Sequence, residues 1–189
     1  MRIIKIIVPC LLLGACMFGT SKSSKFYTQS ATSNGVISAD YTAFVGVNRV
    51  QLPKYVDRPQ MVTQQKNSVQ IDISEYNRWV ESPSILATRV LTADLSTLLP
   101  AAQIKVNQSK GESFDRIVSV EIIKMKAVLG DKAEMEAWYV IRGDSKKILT
   151  QQKITATVAI GKTYEDIANG YSRLLEELSQ EIATALIKK

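Results

Sequence analysis

Alternating apolar and polar residues are clearest between residues 116 and 158. In the stretch KAEMEAWYVIR, small and apolar side chains occupy every second position, as expected for a strand with one covered face. These positions are Ala133, Met135, Ala137, Tyr139 and Ile141. Two breaks, LGDK and RGDSKK, divide the segment into three strands. The pattern therefore predicts a three-stranded antiparallel meander.

The first of these strands, RIVSVEIIKMKAV, contains a change of phase. Its apolar positions switch sides between Ile122 and Ile123. Because side chains alternate strictly along a regular strand, such a switch needs an extra residue or a new partner strand. We therefore expect a β-bulge or a change of partner at this point.

Two segments have helical periodicity. In SPSILATRVLTADLSTLLP, apolar residues recur every three or four positions, Ser82 or Ser84 can cap the start, and Pro100 stops the helix. The final segment follows Thr163 as N-cap, and it has acids in its first turn and one apolar stripe. The stripe comprises Tyr164, Ile167, Tyr171, Leu174, Leu175, Leu178, Ile182 and Leu186.

Shorter strands are predicted before the first helix, around residues 26–30, 41–52, 61–63 and 69–73. Asn67-Ser68 can make the turn between the last two, and Gly46 indicates a bulge or a close backbone approach. The order strands, helix, meander, helix predicts an α+β fold, namely an antiparallel β-sheet with two long α-helices packed on one face.

The N-terminus, MRIIKIIVPCLLLGAC, has the pattern of a secretory signal. Arg2 and Lys5 precede an apolar run that is shorter than the roughly 20 residues a membrane-spanning helix needs. The ending LGAC resembles a bacterial lipobox with Cys16 as the lipidated residue; an ordinary signal peptide that happens to contain Cys16 is the alternative. We expect residues 1–15 to be cleaved, residues 16–25 to form a flexible tether, and residues 26–189 to form a single domain.

Sorting of the lipidated chain is predicted from the residue after Cys16. Met17 stands there instead of Asp, which by resemblance to sorted lipoproteins of Gram-negative bacteria favours the outer membrane. The acyl chains would anchor the chain there, facing the periplasm. The tether is short and polar, so the domain is expected to lie close to its membrane.

Composition argues against several functional classes. The formal net charge of +6 falls to +4 when Arg2 and Lys5 leave with residues 1–15, and the basic residues are scattered, so no nucleic-acid binding is predicted. The sequence has no histidine; of its two cysteines, Cys10 lies in the segment expected to be cleaved, and Cys16 would be blocked by lipid. It also lacks a nucleotide-binding loop and a nucleophile elbow. A serine–lysine pair is not excluded by composition alone, but we expect no catalytic residues, metal or cofactor.

The stretch VQLPKYVDRPQMV, residues 50–62, is the most distinctive motif. Pro53 and Pro59 restrict the residues before them to extended geometry, so the segment between them is not expected to be helical. Asp57 and Arg58 should point to opposite sides and bind other groups. Two interpretations follow. Arg58 and Tyr55 could satisfy groups of their own domain, with Tyr55 covering the sheet edge, or the loop could be a docking surface, since Tyr and Arg are favoured interface anchors.

This stretch resembles the signature of the PqiC-type lipoproteins, the ABC-type transport auxiliary lipoprotein family. The match comprises Val-Gly followed by Leu-Pro-x-Tyr-Val-Asp-Arg-Pro-Gln, and YNRWVES at residues 76–82 and FYT at residues 26–28 resemble two further elements of the family. Ser82-Pro83 stands where Glu-Pro-Leu is usual, and Gln29 replaces an apolar residue. Together with the lipobox and the final helix, the resemblance covers nearly the whole chain.

The resemblance implies a non-enzymatic outer-membrane lipoprotein in a PqiABC-like system. In such a system MCE-domain proteins form a conduit for lipid between two membranes, and the lipoprotein would dock its outer-membrane end through an MCE-domain protein of the PqiB type. The expected partner-binding residues are Leu52, Pro53, Tyr55, Asp57, Arg58, Pro59, Gln60 and Trp79. For Trp79 the alternative is a core position. A homo-oligomer is left open, and a lipid carrier that holds acyl chains itself is the alternative function.

Overall fold

The computed structural model describes residues 22–108 and 111–188. The predicted signal peptide, Cys16 and the tether up to residue 21 lie outside these described residues. The described chain forms two helices, α1 (Pro83–Leu98) and α2 (Tyr164–Ile187), close to the predicted segments. Helix α2 begins with the predicted cap, and Thr163 forms a reciprocal capping box with Asp166.

Eight strands accompany the helices. Their bounds are β1 (Lys25–Tyr27), β2 (Phe44–Val47), β3 (Gln60–Gln64), β4 (Ile71–Trp79), β5 (Gln103–Val106), β6 (Arg116–Val128), β7 (Lys132–Gly143) and β8 (Ile148–Ala159). Five of them form one sheet in the order β5-β2-β6-β7-β8, and three form a second sheet in the order β1-β4-β3. The predicted meander is the antiparallel part, β6-β7-β8, of the larger sheet.

The expectation of one antiparallel sheet is wrong, although the α+β class is confirmed: the strands form two sheets, and outside the meander only β3 and β4 pair antiparallel. Strand β2 runs parallel to both of its neighbours, β5 and β6, and β1 runs parallel to β4. Both sheets are therefore mixed. The physical reason is that α1 and the long loops carry the chain back over the sheet, so neighbouring strands are not joined by hairpins, and connections of this length allow parallel pairing.

Two local irregularities appear where the sequence indicates them. The pairing of β6 with β7 shifts register between Ile122 and Lys124, so Ile122 is buried while Ile123 is exposed. A Cβ atom on Gly46 would lie 2.7 Å from the ring of Phe114. Something does approach Gly46 closely, but it is an aromatic side chain covering strand β2 and not the backbone that the sequence led us to expect.

The core lies between the larger sheet and a layer of two helices. Helices α1 and α2 contact each other; α2 lies on β7 and β8, and α1 lies on β5. The predicted inward positions of β7 are buried, as are all residues of the α2 stripe except Tyr164, which is partly buried.

The segment before β2 crosses this helix layer and is fixed by a buried carboxylate. Asp94 of α1 accepts hydrogen bonds from the backbone N–H groups of Thr32 and Ser33, at 3.0 and 2.9 Å, and from the hydroxyl of Ser179 in α2. Burial raises the pKa of Asp94. The backbone N–H of Ser30 donates to the hydroxyl of Ser172. Polar contacts thus connect the start of the domain to both helices.

Candidate functional site

The motif loop joins β2 to β3 and turns sharply between its prolines. The Pro53 carbonyl accepts hydrogen bonds from the backbone N–H groups of Val56 and Asp57, at 3.0 and 3.1 Å. The segment contains turns and bends but no helix, as the two prolines predict. Its conformation brings the motif side chains against α1, β6 and the smaller sheet.

Asp57 caps helix α1 from outside the helix. Its Oδ1 atom accepts a hydrogen bond of 3.0 Å from the backbone N–H of Ser84 in the first turn. Ser82 occupies the N-cap position, one of the two residues expected there, but its side chain makes no cap hydrogen bond. Helix N-termini carry unpaired N–H groups and partial positive charge, both of which a carboxylate satisfies. Asp57 therefore has a structural role.

The next three motif residues connect the loop to the smaller sheet. Nε of Arg58 donates to Oε1 of Gln60 at 3.3 Å, and the Pro59 carbonyl accepts a 2.7 Å hydrogen bond from the backbone N–H of Trp79. Asp57 and Arg58 have different partners, as expected for neighbours in an extended chain. No described carboxylate forms an ion pair with Arg58.

Tyr55 lies against an open backbone edge. Its hydroxyl donates to the Met125 carbonyl of β6 at 3.4 Å, while the side chain is 40% exposed. β2 and the residues that follow it are hydrogen-bonded to β6 only as far as Ile122. Met125 lies farther along β6 and has no hydrogen-bonded strand on this side among the described residues. Tyr55 therefore covers the sheet edge and still presents aromatic surface to solvent.

Trp79 lies inside the domain. Its side chain is 4% exposed and stacks on Tyr171 of α2, with ring centroids 6.0 Å apart and an interplanar angle of 19°. Partner contact through the indole would require the surrounding strands to move. This placement agrees with the alternative given above, in which Trp79 is a core residue.

A small cavity lies beside these rings. The Tyr171 hydroxyl, which burial gives a raised pKa, has no hydrogen-bond partner in the described structure. The adjoining cavity, lined by Leu52, Val56 and Met125 among others, has a volume of about 10 Å³. A second cavity below Tyr55 has the same volume. Each has room for about one water and none for an acyl chain.

A larger groove begins at the Leu-Pro pair and was not anticipated from the sequence. Leu52 and Pro53 line a cleft of about 260 Å³ together with Ile123, and a neighbouring cleft of about 500 Å³ extends to Trp138. Gln51 and Glu121 line both clefts, which makes the groove continuous across the outer face of the larger sheet. Ile123 is 43% and Trp138 is 38% exposed. The sequence contains one signal of this groove: Trp138 and Val140 occupy positions of β7 where the alternation predicts polar side chains.

Beyond this groove the same face carries a network of ion pairs. Glu134 contacts Lys132, Lys124 and Lys126 with N–O distances of 2.6, 3.2 and 3.4 Å, and Glu136 contacts Lys124 and Lys153. Lys132 above all, and then Lys124 and Lys126, lower the pKa of Glu134 to about 2. These charges are paired with one another, whereas the groove combines apolar side chains, Leu52, Ile123 and Trp138, with polar ones such as Glu121 and Arg142.

The described residues provide neither a metal centre nor a membrane-crossing helix. Within residues 22–108 and 111–188, no three His, Cys, Asp or Glu side chains come together as metal ligands do. In the same ranges, neither helix combines the length and apolar character needed to cross a bilayer.

Comparison with known proteins gives the family. The model of the ABC-type transport auxiliary lipoprotein component matches residues 27–183. The chain belongs to this family. The matched range of the auxiliary lipoprotein includes the motif loop, all of α1, most of α2 and all of the larger sheet. A comparison with curated protein sequences finds no match.

Solved structures share the fold of this auxiliary lipoprotein. A crystal structure of an uncharacterized protein is 15% identical, has a TM-score of 0.70, and aligns over 86% of this chain and 98% of its own. A crystal structure of a DUF330 protein from Xanthomonas campestris is 9% identical, with a TM-score of 0.69 over 85% of this chain and 93% of its own. These similarities concern the fold alone.

Proposed function

We propose that this auxiliary lipoprotein is the outer-membrane component of a PqiABC-like MCE system for lipid transport between membranes. It would dock the outer-membrane end of the conduit, through an MCE-domain protein of the PqiB type, and support envelope integrity. The family match over residues 27–183 carries the proposal. The lipobox ending in Cys16 and the residue Met17 support the outer-membrane location.

The proposed role is non-enzymatic. A sequence without histidine lacks the most common general base at neutral pH. The motif carboxylate Asp57 is bonded to the start of α1, and Arg58 is bonded to Gln60. A docking role needs exposed apolar and aromatic surface instead, and such surface adjoins the motif.

We place the docking surface in the groove together with the exposed side of the motif loop. The groove residues Leu52, Pro53, Ile123 and Trp138 combine aliphatic and aromatic surface, and Tyr55 lies just beyond them. Interfaces are enriched in aromatic anchors, and their energy is concentrated in few residues. Asp57 and Trp79 would act by holding the loop in place.

Lipidation is tested with Cys16→Ser. The wild-type chain should incorporate labelled fatty acid and fractionate with the outer membrane, whereas the variant should remain an unlipidated precursor. Normal processing of the variant, or wild-type protein free of lipid, would contradict the proposed anchor.

Docking is tested by co-purification of the detergent-extracted lipoprotein with its MCE-domain partner. Trp138→Asp and Ile123→Asp should reduce recovery of the partner about tenfold or more, because each places a charge in the centre of the interface. Val69→Asp is the matched control, since Val69 is 95% exposed in the turn between β3 and β4. Recovery that is equal for all three variants would remove the groove from the proposal.

A further inference from the structure

The outer face of the smaller sheet carries a compact group of aromatic, apolar and basic side chains. In the parallel pairing of β1 with β4, Phe26 lies opposite Arg78, and Tyr27 lies opposite Trp79. Tyr27 and Trp79 face inward, so Phe26 and Arg78 share the outward face. Alternation along β4 adds Tyr76 and Val80 to the same face.

The aromatic and aliphatic side chains of this group are open to solvent, and Arg78 is partly buried. Phe26 is 62%, Tyr76 is 41% and Val80 is 51% exposed. Nζ of Lys22 lies 5.6 Å from the centroid of the Tyr76 ring, and this places a second positive charge above the face. We call the set Lys22, Phe26, Tyr76, Arg78 and Val80 the β1–β4 face.

The two basic side chains of the β1–β4 face have no acidic partner among the described residues; Asp72, on the same side of β4 but roughly 13 Å along the strand from Tyr76, is bonded to the side-chain amides of Gln65 and Gln70. Neither Lys22 nor Arg78 forms an ion pair with a described carboxylate, while Glu81, the acid next to Val80, is paired with Arg89 at 2.6 Å. The face therefore suits a partner that is negatively charged and has apolar material just beneath its charges. A membrane surface with anionic phospholipid has both properties.

The position of the proposed lipid anchor at Cys16 also favours a membrane surface as the partner. Cys16 precedes Lys22 by six residues, a length of chain that spans at most about 20 Å when fully extended. Lys22 is itself part of the β1–β4 face. If acyl chains are attached to Cys16, the anchor keeps Lys22, and with it this face, within about 20 Å of the bilayer.

We infer that the β1–β4 face rests on the anionic membrane surface in which the chain is anchored, with Phe26, Tyr76 and Val80 at the headgroup boundary and Lys22 and Arg78 against phosphates. This inference rests on the proposed lipid anchor. None of the residues that line the groove between Leu52 and Trp138 belongs to this face, so contact with the bilayer through the β1–β4 face does not use the groove.

The test uses the mature, lipidated chain with one introduced thiol. Cys10 is lost with the signal and Cys16 is acylated, so Val80→Cys carries the single reactive sulfur. An environment-sensitive fluorophore on this residue is measured in vesicles of phosphatidylethanolamine and phosphatidylglycerol that contain nitroxide-labelled lipid. Ile148→Cys on β8 is the matched control, because its wild-type side chain is 49% exposed, close to the 51% of Val80.

We expect strong quenching at position 80 and weak quenching at position 148. Adding Arg78→Gln should shift the equilibrium about fivefold toward undocked domains, which is the effect of removing one basic residue at an anionic surface. Replacing phosphatidylglycerol with phosphatidylcholine should act in the same direction. Equal quenching at the two positions would overturn the inference. So would a label at position 80 that is shielded from solvent only when a partner protein is added.

Failure of the anchor is distinguished by the mass of the purified chain. A mature chain without acyl groups contradicts the proposed function. In that case Cys16→Ser is added, so that position 80 again carries the single thiol, and the same chain is mixed with the same vesicles. Quenching at position 80 then supports the face independently of the anchor, and its absence overturns it.

Discussion

At the scale of single residues, Asp57 links the motif loop to helix α1 through the backbone N–H of Ser84. Asp57→Ala leaves that donor without an acceptor, and Ser82 makes no side-chain cap bond that would compensate. We expect the free energy of unfolding to fall by about 1 to 2 kcal/mol. Asp57→Asn keeps an acceptor oxygen and should lose less. Urea denaturation followed by circular dichroism measures both.

The control for this prediction is Asp40→Ala. Asp40 is exposed, and its side chain makes no hydrogen bond to the described residues, so the change should stay within about 0.5 kcal/mol. If Asp57→Ala costs no more than Asp40→Ala, the capping role of Asp57 is wrong.

Gly46 is a second residue whose replacement has a calculable consequence. A methyl group there meets the ring of Phe114 at 2.7 Å, so Gly46→Ala should cost about 1 to 3 kcal/mol through overpacking. Phe114→Leu in the same chain should restore part of the loss by giving the methyl group room. Gly35→Ala, which has nothing within 4 Å of the added carbon, is the thermal-denaturation control. A cost equal to that of Gly35→Ala would show that the ring moves freely.

At the scale of elements, the sequence predicts the features that depend on residues close together in the chain. It does not predict the features that depend on pairing between distant segments. The shift at Ile122 and the cap at Thr163 follow from a local change of phase and a local spacing of three residues. The direction of β2 relative to β5 and β6 does not, because alternation is the same in parallel and antiparallel strands. Asp57 as a cap was missed for the same reason, since it lies 27 residues from Ser84.

Strands β6 and β7 are joined on their outer face by the lysines around Glu134, which gives a pH dependence. The folded pKa of Glu134 is about 2, below the usual 4.5, so its contribution is full above about pH 4.5 and disappears as the pH falls through about 2. Glu134→Gln should therefore lower the free energy of unfolding by about 1 to 2 kcal/mol at pH 7, since solvent weakens the lysine contacts. Near pH 2 the variant and the wild type should be equally stable.

Chemical denaturation at a series of pH values tests this dependence. Glu181→Gln is the control, because Glu181 is exposed on α2 and forms no ion pair with a described residue. A difference for Glu134→Gln that is constant with pH would contradict the assignment to the ion-pair network.

At the scale of the whole molecule, Asp94 holds the segment before β2 against both helices. Asp94→Ala leaves the N–H groups of Thr32 and Ser33 without their acceptor, while the Ser179 hydroxyl keeps the Leu175 carbonyl, and we expect a loss of about 2 to 4 kcal/mol. Asp94→Asn should cost less, because it retains an oxygen and removes a charge whose burial already raises the pKa of Asp94.

Denaturation curves and hydrogen exchange at the Thr32 and Ser33 amides measure this effect. Exchange there should accelerate strongly in Asp94→Ala, while the β7 amides change only with global stability. Ser96→Ala, an exposed change on the same helix, is the control. Unchanged exchange at Thr32 and Ser33 would show that the segment is held by other contacts.

The bond between Ser30 and Ser172 joins positions 142 residues apart. A chain that emerges N-terminus first, from a ribosome or through a translocation channel, presents the first partner long before the second exists. Contacts of such sequence separation close late and slow the search for the native state. This contact, and with it one attachment of the segment before β2, therefore forms only after α2 has been synthesised.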